Sequence, residues 1–168
     1  MMCMGLGVAA TVRVGYQNGL KDYVTLRKAG LSAIYMVIAF MIFFGIGMVL
    51  LRYQLPTFYL ENQEVINLAA QLLIIASLFQ LSDGIQLVVL GALRGMQDVV
   101  TPSIITFISY WLIAIPLGIL LAVYFEWKAI GMWIGLLIGL TIAAIMLLLR
   151  FHNQTKKLIN GSTQIFNR

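Results

Sequence analysis

Four long apolar runs constrain this chain more than any other feature. Residues 29–51, 99–125 and 129–149 carry no charge, and residues 65–93 carry a single one, Asp83. At about 1.5 Å of rise per residue, a helix made from any of them can cross a hydrocarbon core of about 30 Å. Helix is the only state that suits them. A barrel strand is shorter and alternates apolar with polar residues, whereas these runs are apolar all round. In lipid, backbone donors and acceptors must also be satisfied inside the segment.

Composition removes the alternatives. The chain is 61% apolar and 10% charged, against roughly 45–50% and about 25% in an ordinary soluble domain. A chain of 168 residues cannot hide that much apolar surface from water, because small domains leave a large share of their surface exposed. High hydrophobicity with low charge also excludes disorder. An all-α membrane protein remains, with room for four or five spans and no separate soluble domain. The net charge of +5 lies in the short segments between the runs rather than on one basic face. The expected partner is therefore membrane lipid, not nucleic acid. Cys3, the single cysteine, has no internal disulfide partner and reads as an inert thiol. The N-terminus lacks a basic n-region and a small-residue cleavage site, so no cleaved signal peptide is expected.

The first segment differs from the four runs. Met1–Val12 is apolar but ends at Arg13, too soon to cross a bilayer. Helical character extends to about Gly19, with glycines at 15 and 19 weakening it. Residues 1–19 read as the second half of a span; a short interfacial or re-entrant segment is the alternative. If Lys21–Lys28 is cytoplasmic, alternation of the spans gathers Arg13, Lys21, Arg27, Lys28, Arg94, Arg150, Lys156, Lys157 and Arg168 on that side. Of the 11 lysines and arginines, only Arg52 and Lys128 fall outside, the bias that positive charge imposes on topology. Glu61, Glu64 and Glu126 then lie outside, and Tyr53, Phe58, Tyr59, Tyr124 and Trp127 mark the outer boundary, a depth that suits amphipathic rings. Residues 151–168 read as a solvated cytoplasmic tail. His152 within it has no acidic or cysteine neighbours and is given no ligand role.

There is no internal repeat, no P-loop, no G-x-G-x-x-G before a helix, no C-x-x-C and no H-E-x-x-H. Neither ATP hydrolysis nor redox chemistry is expected, so the chain does not read as an enzyme and needs no cofactor. Asp83 is the informative residue, because it is the only acid inside an apolar span. An aspartate at the bilayer centre costs about 2.5–3.5 kcal/mol on insertion scales, and such residues face a bundle interior or a wet cavity. Gln80 and Gln86 stand three residues to either side, close enough to share a helix face with it. A partly wetted aspartate can take up and release a proton. Ionised, it is a hard oxygen ligand for a cation such as Na⁺, with amide oxygens of Gln80 or Gln86 as helpers. A structural hydrogen bond between helices is the competing role.

Gly131, Gly135 and Gly139 form a stripe that lets another backbone approach, in this chain or another. Pro116 lies inside a run and predicts a kink. Pro102 suits the start of a helix. Gly91 and Gly95 flank Arg94 at an inner helix end, where they favour a turn.

Four segments resemble the C-terminal half of the multidrug and toxic compound extrusion (MATE) family. They are T-V-R-V-G-Y-Q-N-G (Thr11–Gly19), F-Q-L-S-D-G-I-Q-L-V-V-L-G-A-L-R-G (Phe79–Gly95), I-S-Y-W-L-I-A-I-P-L-G-I-L-L (Ile108–Leu121) and I-G-M-W-I-G-L-L-I-G-L (Ile130–Leu140). Each is weak alone, but four in the family's order cover nearly the whole chain. The resemblance implies a twelve-helix transporter of two facing six-helix lobes, which exports organic cations and drugs across the inner (cytoplasmic) membrane in exchange for Na⁺ or H⁺. Thr11–Gly19 would match the inner end of helix eight and the four runs helices nine to twelve, a partial lobe with its C-terminus cytoplasmic. Asp83 would match an acid of the NorM-like subgroup that helps form a cation site.

This sequence also departs from the family pattern. Phe79 stands where some NorM-like members have tyrosine, and Gln97 replaces a glycine often found after Leu-Arg-Gly. The N-terminal lobe and the seventh helix, which supplies a second carboxylate, have no counterpart here, so the implied cation site is incomplete. Two other readings are a lipid-linked oligosaccharide flippase of the same superfamily and a truncated, non-transporting remnant. The absence of basic residues deep in the four runs weighs against a flippase, whose substrate is anionic.

Overall fold

The computed structural model describes residues 2–59 and 62–166; Met1, Glu61 and Arg168 lie outside them. The described residues form helices and no strands. They are α1 (Met2–Gly19), α2 (Tyr23–Leu50), the short α3 (Gln54–Thr57), α4 (Gln63–Gly95), α5 (Val100–Tyr124) and α6 (Lys128–Phe166). Among the described residues α2, α4, α5 and α6 are long and apolar enough to cross a membrane. Asp22 caps α2 by accepting from the Thr25 backbone N–H at 3.1 Å. Hydrogen bonding from Thr25 holds the Asp22 carboxyl below its ordinary value.

The core forms where α4 meets α1, α2 and α6. Ala10 and Val14 of α1, Leu26, Val37 and Met41 of α2, Val88, Val89 and Leu93 of α4, and Leu147 and Phe151 of α6 are all buried there. Between α1 and α4 the seam is made of small residues. A Cβ on Gly91 would collide with the Gly7 carbonyl, so only glycine allows this approach. Thr11 Oγ1 lies 2.9 Å from both the Gly7 and the Gly91 carbonyl oxygens, and its hydroxyl donates across the seam. Gly91 therefore does not make the turn expected of it, since α4 runs through it to Gly95. The turn comes after Met96, where Gln97 adopts φ 63°. That left-handed backbone favours glycine, and here a glutamine adopts it.

A second close seam joins α5 to α6. A Cβ on Gly131 would meet the backbone of Leu121 and Ala122, one on Gly135 would meet Gly118, and one on Gly139 would meet Ala114. The partner of the glycine stripe is thus α5 of the same chain. Helix α5 bears the mark of Pro116, with wide π-helical turns over Ser109–Ala114 and Leu120–Tyr124 on either side of a short α-helical stretch. Proline supplies no N–H to the turn before it, and a π turn re-routes the carbonyls left over.

The solvated tail expected from residue 151 is instead the continuation of α6, which runs to Phe166. Phe151 is buried, and a Cβ on Gly30 would strike its ring. Thr155, one turn on, is fully buried and donates to the Phe151 carbonyl at 2.9 Å. Two anchors four residues apart hold this extension to the bundle, and the polar residues around them conceal the pattern in the sequence. His152 accepts a hydrogen bond from Arg27 Nη2 at 3.2 Å. Arg150 Nε donates to Asp98 Oδ2 at 2.7 Å in an ion pair. These contacts bring the starts of α2 and α5 and the far part of α6 to one end of the bundle. The other end carries the exposed rings of Tyr53, Phe58, Tyr59, Tyr124 and Trp127.

Candidate functional site

Helix α4 positions the candidate site. Its successive faces turn toward different neighbours, because each residue rotates the side chain by about a quarter turn. Gly84 meets Met41 and Val37 of α2, and Leu87 packs over Gly7 of α1. Phe79, Ser82 and Gln86 face α5 and α6. The Phe79 ring meets Trp133 edge-on, with centroids 5.9 Å apart. Ser82 and Thr141 hydroxyls lie 3.0 Å apart, and Thr141 itself donates to the Leu137 carbonyl. The Tyr110 hydroxyl donates to Gln86 Oε1 at 3.4 Å.

Asp83 lies between the face covered by α1 and the face covered by α5 and α6. It is partly exposed, one turn beyond the point where Leu87 meets Gly7. Among the described residues its carboxylate makes no hydrogen bond and no ion pair, and neither does the Gln80 side chain. Gln80 is likewise partly exposed, while Gln86 is buried. The structure therefore separates the two glutamines that spacing alone had made equivalent. Gln86 is turned to Tyr110 on α5. Gln80 remains one turn from Asp83, with its amide uncommitted among the described residues.

Chemically, this is a hard oxygen donor on a mostly apolar wall, with one free amide beside it. Such a group suits a proton or a small hard cation. Among the described residues no three His, Cys, Asp or Glu side chains gather in a way that could hold a metal ion. Asp83 thus contributes a single carboxylate, and a complete cation shell needs further oxygens.

Tyr110 and Thr141 are polar partners that reasoning on spacing did not select. Each is a hydrogen-bonding residue in an otherwise uncharged run, at a depth where such a group needs a partner. That signal was available in the sequence, but which helix would supply the partner was not. Ser109, next to Tyr110 in the π turn, has a fully buried hydroxyl with no hydrogen bond among the described residues.

The chain matches the family model described as MatE over residues 1–120. It is 41% identical over 157 residues to a probable multidrug resistance protein NorM of Bacillus cereus, covering 94% of this chain and 35% of that protein. It is 38% identical over 162 residues to a probable multidrug resistance protein NorM of Xylella fastidiosa, covering 96% and 34% respectively. It thus spans about a third of the length of the curated relatives it matches. The fold agrees with a crystal structure of the eukaryotic MATE transporter AtDTX14, with a TM-score of 0.82 and 25% identity, over 93% of this chain and 36% of that one. An inward-facing multidrug resistance MATE family transporter gives a TM-score of 0.83 at 20% identity, over 94% of this chain and 37% of that one. With a family match across most of its length and four apolar helices long enough to span a bilayer, this multi-pass membrane chain belongs to the MatE family.

Proposed function

We propose that this chain is part of the C-terminal lobe of an antiporter in the inner membrane, which exports organic cations and drugs in exchange for Na⁺ or H⁺. Asp83 is the ion-binding group, and Gln80 is its nearest amide helper. A facing N-terminal lobe completes the transporter, and the C-terminus lies in the cytoplasm with most of the basic residues. The activity is transport, not covalent catalysis.

One observation supports this reading most: the only acid inside an apolar run is partly exposed and carries no structural hydrogen bond among the described residues. A carboxylate kept at that depth for packing would be tied to a neighbouring helix, as Gln86 and Ser82 are. Ion or proton occupancy of Asp83 shifts the balance between inward-open and outward-open states, which it can do only by binding one state more tightly. Drug binding to the other state closes the exchange cycle.

The test is Asp83→Asn in the full-length transporter, measured as drug efflux driven by an imposed Na⁺ or H⁺ gradient. Asparagine keeps the shape and loses the charge, so gradient-driven efflux is expected to vanish while the protein still reaches the membrane. Gradient-dependent export at the original rate would overturn the assignment.

A further inference from the structure

A groove of ≈ 540 Å³ opens between α5 and the far part of α6, at the opposite end of the bundle from the exposed aromatic rings. Its lining changes character along its length. Ile105, Met146 and Leu149 form the part within the membrane-spanning runs, and Met146 and Leu149 are exposed. Arg150 sits at the middle, and Lys156 and Lys157 line the outer part together with amide side chains. From Met146 to Lys157 the groove follows α6 for about 16 Å.

The charges in it are not all free. Arg150 is bound to Asp98 at 2.7 Å. Lys156 and Lys157 are exposed and make no ion pair among the described residues. The groove is therefore apolar at one end and carries two unpaired cations at the other, with a neutralised pair between them. A free phosphate would have no use for the apolar end, and an acyl chain alone would have no use for the lysines.

We propose that this groove binds an anionic phospholipid, with its upper acyl chain on Ile105, Met146 and Leu149 and its phosphate between Lys156 and Lys157. Basic recesses between spanning helices at the membrane surface take acidic headgroups for this reason, because each lysine there gains from the charge of the lipid. The extension of α6 past the bilayer is what makes the site possible. A solvated tail would carry the same lysines, but the buried Phe151 and Thr155 fix their register over the groove.

Native mass spectrometry of the full-length transporter, offered equal amounts of phosphatidylglycerol and phosphatidylcholine, tests this directly. The wild-type protein is expected to retain phosphatidylglycerol preferentially. The double variant K156Q/K157Q, which alters only exposed side chains, should lower that preference on the order of tenfold. Leu149→Ala should weaken retention of both lipids, and Asp83→Asn should change neither, so the outcome is separate from that of the ion-coupling test. Equal retention of the two lipids by the wild type, or an unchanged preference in K156Q/K157Q, would overturn the proposal. So would displacement of the lipid by inorganic phosphate alone, which would mark a free-anion site.

Discussion

The two parts of α4 belong to one continuous helix but meet different surroundings. From Val88 to Gly95 the helix is wedged between α1, α2 and α6, with Val88, Val89, Gly91, Ala92, Leu93 and Gly95 all buried. From Gln63 to Leu87 only Ile66, Ala70, Ser77, Gly84 and Gln86 are buried. The first region holds its neighbours by backbone approach, through Gly91 against Gly7 and the shared Thr11 hydroxyl. The second holds them by side-chain pairs such as Phe79 with Trp133 and Ser82 with Thr141. The tight half fixes the position of the helix, and the looser half can then keep an acid partly exposed. A carboxylate wedged between backbones could not exchange its proton or ion with water.

The contrast breaks most readily at Gly91. Gly91→Val places a branched side chain against the Gly7 carbonyl and should force α1 away from α4. The expected loss is about 3 kcal/mol or more, the upper range for overpacking, read as a large fall in unfolding temperature in detergent. A small change would mean that the seam is not rigid. Tyr110→Phe probes the looser half. It removes the donor to Gln86 at little cost in volume, and hydrogen bonds between membrane helices are worth about 0.6 kcal/mol on average. Thermal unfolding should therefore fall slightly, and a loss as large as that at Gly91 would erase the distinction between the halves. Asp83→Asn should destabilise least, by no more than about 0.5 kcal/mol, because no hydrogen bond is lost among the described residues and a carboxylate inside a span gives way to a neutral amide. Marked destabilisation by that variant would mean that Asp83 serves the packing of the bundle.

These two halves also separate what could be read in the sequence from what could not. The spans were legible because an uncharged run has one stable state in lipid. The acid was legible because it is the only one inside an apolar run, where its cost is high away from the interfaces. The role of Gly91 was not, since a glycine near an arginine and a helix end looks like a turn until the approach of α1 is known. Gln80 and Gln86 were interchangeable by spacing, and only the place of Tyr110 on the π-helical turn of α5 distinguished them. The extension of α6 was hidden because Phe151 and Thr155 are two buried positions among many polar ones.

The sequence by itself determined that the chain is helical, that it crosses a membrane, and that one acid inside it demands an explanation. Those properties follow from local solvation: each apolar run must satisfy its own backbone in lipid, and an acid inside such a run has to be taken out of water before any neighbour can compensate it. Only the tertiary structure decided which glycines bring backbones together, which amide remains beside Asp83, and that the lysines past the bilayer stand over a groove. Those are relations between residues far apart in the chain, and helical spacing specifies a face without specifying what the face will meet.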